Sequence, residues 1–120
     1  MAITYKEERI SADEYIDFLK RTNLGSQYPK ERFYERIGKL VNNVSISLIA
    51  RNEENKIIGA LFGLTGYCYW LYVTDLGVDR EYEGQGIGRK LLKQHRRVGL
   101  IGKWDWNSNI RFLLKIEVVF

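Results

Sequence analysis

Apolar residues recur along this chain with two different periods, and the switches between them divide it into elements. Residues 2–9 carry an Ile-Thr-Tyr stretch that predicts a first strand. Ser11-Ala12-Asp13-Glu14 follows as a capping box, with the glutamate three residues after the serine. Tyr15, Phe18 and Leu19 then fall at helical spacing, which predicts a helix over 12–22. Asn23 to Tyr28 reads as a loop containing Gly25. The only proline, Pro29, suits the first position of a second helix. Phe33, Ile37, Leu40 and Val41 form that helix's apolar stripe, and Asn42-Asn43 ends it.

Past that point the period shortens. Val44 to Arg51 is rich in β-branched residues, Asn52 to Lys56 is a polar hairpin turn, and Ile57 to Thr65 is the returning strand. Gly66 and Tyr67 allow another turn, and Tyr69 to Val78 is a third β-like run. Short hairpins in succession imply an antiparallel meander. A polar link over 79–83 and a glycine-rich turn lead into a basic helix from Arg89 to Arg97, with Leu91 and Leu92 facing inward and His95 solvated. Leu100 to Trp106 reads as a strand, Asn107 to Lys115 as a short helix or more strand, and Ile116 to Phe120 as a terminal strand. Strands that meander first, with one helix packed across them later, make an α+β pattern rather than a doubly wound one.

Composition narrows the setting. A chain of 120 residues suits a single domain, 1–120, and 45% hydrophobic with 28% charged residues is a globular balance. Cys68 is the only cysteine, which excludes an internal disulfide framework and a multi-cysteine metal site, so no metal is expected. The first residues carry charges where a signal peptide needs an apolar core, and no apolar run is long enough to span a membrane. A cytoplasmic protein without a membrane partner is the resulting expectation. The net charge of +4 suits a polyanion, but 15 acidic residues are interspersed among the basic ones. No basic stripe stands out, so a small polyanion is expected rather than nucleic acid.

The chemistry concentrates in Glu83-Gly84-Gln85-Gly86-Ile87-Gly88. A strand, a glycine turn and a helix N-terminus together bind anions, because the first amides of a helix lack intrahelical acceptors and the peptide dipoles add positive potential. Glycines at 84, 86 and 88 let the backbone approach a phosphate, while Arg89, Lys90 and Lys93 add charge around the mouth. A glycine-rich turn that binds nothing is the plain alternative. A P-loop would need Lys after the last glycine, where Arg89 stands, and a dinucleotide fingerprint would need a further glycine and a βαβ unit.

The longer stretch from Leu71 to Leu92 resembles the acetyl-CoA motif of the GNAT-family N-acetyltransferases. That motif has Arg or Gln, two residues, Gly, one residue, then Gly or Ala, after a strand that ends in Leu-x-Val, here Leu76-Gly77-Val78. The hairpin strand Ile57-Ile58-Gly59-Ala60-Leu61 also resembles the family's third strand, and the element order agrees over roughly residues 3–95. The resemblance implies a mixed, mostly antiparallel twisted sheet flanked by helices. It implies acetyl-CoA as cosubstrate, with backbone groups of Leu76 and Val78 pairing to its pantetheine arm. A bulge near Leu76-Gly77 would open a slot for the thioester, and amides from Gln85 to Arg89, with Ile87 and Gly88 between them, would hold the pyrophosphate. The reaction would be direct attack by an amine of a small molecule or peptide.

Departures accompany the resemblance. Glu83 stands where the family has Arg or Gln, and would point away or pair with Arg80 or Arg89. The C-terminal part is abbreviated: Asn107 to Leu114 only loosely echoes a helix that often supplies a tyrosine acid, and Leu113 stands near that tyrosine's place. The apolar edge Ile116 to Phe120 favours a homodimer. Asp75 is the candidate general base, against the plain reading of a carboxylate bonded to the turn. Tyr72 lies nearer the family's usual base position, but as a phenol it is a poor base and lines the pocket instead. Glu14, Tyr15, Tyr28 and Phe33 fall where the family's early helices border the acceptor pocket. Tyr67, Tyr69 and Trp70 shape that pocket or pack in the sheet, and Trp104 and Trp106 serve a core or a dimer contact. Cys68 has no nucleophile's companions in the sequence. The alternative to an enzyme is an acyl-CoA-binding or dimeric module without catalysis.

Overall fold

The computed structural model describes residues 2–65, 71–99 and 114–116. Its elements are β1 (Thr4–Glu7), α1 (Ala12–Leu19), α2 (Phe33–Asn43), β2 (Ile46–Arg51), β3 (Ile57–Thr65), β4 (Leu71–Val78), α3 (Ile87–Gly99) and β5 (Leu114–Ile116). The sheet order is β1-β2-β3-β4-β5. The first four strands are antiparallel neighbours and β5 lies parallel to β4, which makes the expected mixed, mostly antiparallel α+β sheet.

Local chemistry explains the boundaries. The capping box forms as expected: Glu14 N–H donates to Ser11 Oγ and Ser11 N–H to the Glu14 carboxylate, each at 3.1 Å. α1 stops at Leu19 rather than Thr22, because Thr22 Oγ1 donates back to Leu19 O at 3.0 Å and folds the chain into a turn. Pro29 does not open α2. Arg32 adopts φ 51, in the left-handed region, so a helix cannot run from Pro29 into Phe33. In the β2–β3 turn Asn52 Oδ1 accepts the amides of Glu54 and Lys56, both at 3.0 Å.

β2 and β3 are buried on both faces, which is why they read as near-continuous apolar runs. On one face Tyr15 and Phe18 of α1 with Ile37 and Val41 of α2 pack against Ile49, Ala60 and Phe62. On the other, Ile87 and Leu91 of α3 pack against Leu48, Ile58, Leu61 and Val73. α3 comes close because β3 offers glycines beneath it. A Cβ on Gly59 would stand 2.9 Å from Ile87 Cγ2, and one on Gly63 would stand 2.2 Å from His95 Cε1.

His95 is therefore not solvated. It follows Leu91 by one helical turn, shares its stripe, and is 0% exposed. Leu114–Ile116 is strand, resolving part of the 107–115 ambiguity. The expectations for Tyr67, Cys68, Tyr69, Trp70, Trp104, Trp106, Leu113 and residues 117–120 lie outside the described residues.

Candidate functional site

The site begins at the open edge of β4. Among the described residues β5 pairs with β4 at Leu71, Tyr72 and Val73. Further along, β4 keeps β3 as its neighbour, with Leu76 opposite Leu61, Gly77 opposite Ala60 and Val78 opposite Gly59. Among the described residues no strand covers the other edge from Thr74 to Val78. Asp79 N–H donates to Ile58 O at 2.8 Å, which makes Asp79 and Ile58 a hydrogen-bonded pair. Antiparallel pairing alternates, so Ala60 and Gly77 form the next such pair, and the N–H and C=O of Leu76 and Val78 face the open edge.

The register of β3 and β4 shifts once, between Phe62 and Gly63, leaving Thr74 as the extra residue of a bulge. The expected bulge at Leu76-Gly77 is thus displaced to Thr74, and Leu76-Gly77 pair regularly. A bulge at Thr74 bends β4 just past the segment that pairs with β5.

That turn lies at the end of the same edge. Gly84 and Gly86 hold φ 79 and φ 81, both left-handed, and a Cβ on either would meet nothing within 4 Å. Conformation rather than crowding therefore demands glycine there. Alternating left-handed residues turn successive amides to one side and form a nest for an anion. Lys90 N–H donates to Gly86 O at 3.0 Å, opening α3, so the amides of Ile87, Gly88 and Arg89 are the helix's unpaired first donors. A Cβ on Gly88 would lie 3.8 Å from Val78 Cγ2, which joins the helix start to the strand end.

Beside the end of β4 lies a cavity of about 170 Å³. Thr22, Asn23 and Leu24 form one wall, and Leu76, Gly77, Val78 and Glu83 the other. Gly77 admits this wall closely: its added Cβ would stand 3.3 Å from Leu24 Cδ2 and 3.4 Å from Phe18 Cε2. Basic side chains fix the wall in place. Arg80 donates to Thr22 O at 2.8 Å and to Lys20 O at 2.9 Å, while Arg21 donates to Ile57 O and to Asp79 Oδ2, both at 2.7 Å. Burial pushes the Asp79 carboxyl up, but the Glu81 amide and the Arg21 and Lys56 charges outweigh it and hold it below the usual range.

Asp75 sits just past the bulge with both oxygens engaged. Tyr28 donates to its Oδ1, and Thr74 Oγ1 donates to its Oδ2 at 2.9 Å. Tyr28 is further bonded to Tyr15, hydroxyl to hydroxyl, at 2.9 Å. Tyr15 and Phe33 stand edge-on to the Tyr28 ring, at 6.4 Å each. Tyr28 thus lies in the α1–α2 loop rather than in a helix. Tyr72 lies before the bulge, paired with Leu64 of β3 and Lys115 of β5. Glu14 is tied to Ser11 and Arg51 rather than to the site.

Glu83 is exposed and lines the cavity. It makes no ion pair with Arg80 or Arg89 among the described residues, since Arg80 is spent on carbonyls. Lys90 leans away from the turn, with Nζ 4.8 Å from the Tyr5 ring centroid. The roles of Arg21 and Arg80 carry no signal in the sequence, because each acts through a partner 58 residues away.

A family model described as an acetyltransferase (GNAT) domain matches residues 43–115. The chain belongs to the GNAT acetyltransferase family. Its fold is similar to that of a GNAT-family acetyltransferase from Streptococcus pneumoniae, at 17% identity and TM-score 0.62 over 92% of this chain and 83% of that one. It is also similar to a ribosomal-protein-alanine N-acetyltransferase from Brucella melitensis, at 13% identity and TM-score 0.66 over 98% of this chain and 81% of that one. A GNAT-family N-acetyltransferase from Escherichia coli, solved in complex with CoA, aligns at 19% identity and TM-score 0.60 over 82% of this chain and 58% of that one. No curated protein matches the chain. At these identities the likeness concerns the fold. Among the described residues no helix is long and apolar enough to cross a membrane.

Proposed function

We propose that this GNAT domain is an N-acetyltransferase that transfers acetyl from acetyl-CoA to an amine of a small molecule or peptide. The observation that carries this reading is the continuity of three features. The outward backbone of Leu76 and Val78, the cavity beside Gly77, and the left-handed Gly84 and Gly86 before α3 lie along one edge. An extended arm adds to a strand edge by main-chain hydrogen bonds, and a pyrophosphate suits a nest at a helix start. The residues present therefore fit the cosubstrate: Leu76 to Val78 for the arm, Gly84 to Arg89 for the pyrophosphate. Acetyl-CoA, when bound, supplies a thioester that an amine attacks directly.

The chain's own tasks are placement and proton handling. Asp75 accepts the amine's proton, directly or through a water, and Tyr72 lines the pocket beside it. Arg21 and Arg80 keep the Thr22–Leu24 wall against the cavity. Lys90 serves as background charge, since it rests on Tyr5. We read the chain as one cytoplasmic domain, with the apolar segment 116–120 supporting a homodimer.

One observation favours a second reading, a coenzyme-binding module without catalysis: both oxygens of Asp75 already accept hydroxyl hydrogen bonds. Calorimetry with acetyl-CoA, followed by thiol release across a panel of amines, separates the two. Binding with thiol release supports the enzyme, binding without it supports the module, and no binding removes both.

A further inference from the structure

Asp75 is held more elaborately than a surface carboxylate requires. Thr74, the bulge residue, shares its hydroxyl proton between Phe62 O at 3.3 Å and Asp75 Oδ2 at 2.9 Å. Tyr28 reaches Oδ1 from the α1–α2 loop, 47 residues away in sequence. Because Tyr28 donates to Asp75, its own oxygen accepts the proton of Tyr15. The bonds run in one direction, Tyr15 to Tyr28 to Asp75, and such chains strengthen each member.

This chain leads nowhere for a proton. Tyr15, at its far end, is 0% exposed. Burial raises its hydroxyl well above the ordinary range, as does the Asp75 charge, and the Tyr28 bond offsets this only in part. Burial raises the Tyr28 hydroxyl as well, with the charges of Tyr15 and Asp75 adding to it. The far end of the chain, Tyr15, has no contact with solvent, so the network is a clamp rather than a relay. A carboxylate offers about four lone-pair directions and the two hydroxyls take two of them, so Asp75 keeps acceptor capacity for an incoming N–H.

We infer that Tyr28 is a positioning residue: its hydroxyl fixes the Asp75 carboxylate beside the bulge, so that the free acceptor directions face the acceptor amine at the open edge of β4. The inference rests on the acetyltransferase reading above. It makes the α1–α2 loop, and not β4 alone, a determinant of the amine step.

The test is a double-mutant cycle in the full chain, following thiol release with acetyl-CoA and the best amine of the panel. Tyr28→Phe keeps the ring against Tyr15 and Phe33 and removes only the hydroxyl. It should lower kcat by about tenfold, the scale of one hydrogen bond to a charged group, with the KM for acetyl-CoA unchanged. In an Asp75→Asn background the same substitution should change kcat by less than about twofold, because the carboxylate base that the hydroxyl positions is gone. Thr74→Val should behave like Tyr28→Phe, and Thr74→Ser should restore the rate. Thermal midpoints of all variants are measured beside the rates. Equal losses from Tyr28→Phe in both backgrounds, or none in either, would overturn the inference while leaving the acetyltransferase reading intact. No thiol release by the unmutated chain would remove that reading and the inference together.

Discussion

His95 gives the sharpest test of the packing between α3 and the sheet. Its ring is fully buried over Gly63, and among the described residues neither Nδ1 nor Nε2 has a hydrogen-bond partner. Burial pushes its pKa down from 6.5 to about 4. The sign follows from that order. Below the unfolded-state value the unfolded chain takes a proton that the native ring refuses, so stability is complete above pH 6.5 and drains away until about pH 4. At roughly pH 4.5 the loss from this one group amounts to about 2.5 kcal/mol, a large share of a small domain's stability. Replacing His95 by leucine removes the titration and the orphaned nitrogens, each of which costs about 1–3 kcal/mol. Urea unfolding near neutral pH should find His95→Leu as stable as the parent or more so. Repeated at acid pH, it should find the variant's advantage widened by about 2.5 kcal/mol, since the carboxylate contributions are common to both proteins and cancel. Parallel stability curves for parent and variant across this range would refute the buried, neutral imidazole.

Other consequences concern single contacts. Gly63→Ala places a methyl 2.2 Å from His95 Cε1 and 3.1 Å from Tyr72 O, neither of which yields easily. It should destabilise by about 1–3 kcal/mol and lower the thermal midpoint by roughly 5–10 °C in a melting curve. Asp79→Asn weakens the 2.7 Å pair with Arg21 and should destabilise by about 2 kcal/mol in urea. Since the Asp79 carboxyl is held below its usual range, its contribution is present above that range and lost as pH falls through its folded-state value; the variant should lack this portion of the acid limb. Glu83→Gln removes a negative charge from the cavity wall and should tighten acetyl-CoA several-fold by calorimetry at low salt, with the gain shrinking as salt rises.

Periodicity made the meander legible: the turn at 52–56 and the strand 57–65 appear where the apolar pattern and the Asn52 turn chemistry put them. The glycine turn was legible because a left-handed backbone leaves few residues other than glycine at 84 and 86. Helix starts were less so. Pro29 is compatible with an N-terminus, but the conformation of Arg32, which local sequence does not announce, delays α2 to Phe33. The basic neighbours of His95 suggest solvent, whereas its spacing from Ile87 and Leu91 places it inward. The pairing of Tyr28 with Asp75 and the staple from Arg80 to Thr22 span 47 and 58 residues, and no local pattern encodes such a contact. The bulge at Thr74 likewise depends on the register of two strands rather than on the sequence of one.

The central claim is that the glycine turn before α3 holds the pyrophosphate of acetyl-CoA. Titration calorimetry of acetyl-CoA into the parent chain and into Gly86→Val tests it most directly. Gly86 sits at φ 81 with open space beside it, so valine would strain the turn and project into the nest while leaving the core untouched. The parent should bind, and Gly86→Val should show no heat of binding while keeping a cooperative thermal transition. Equal affinity in the two proteins, or no binding by the parent, would contradict it.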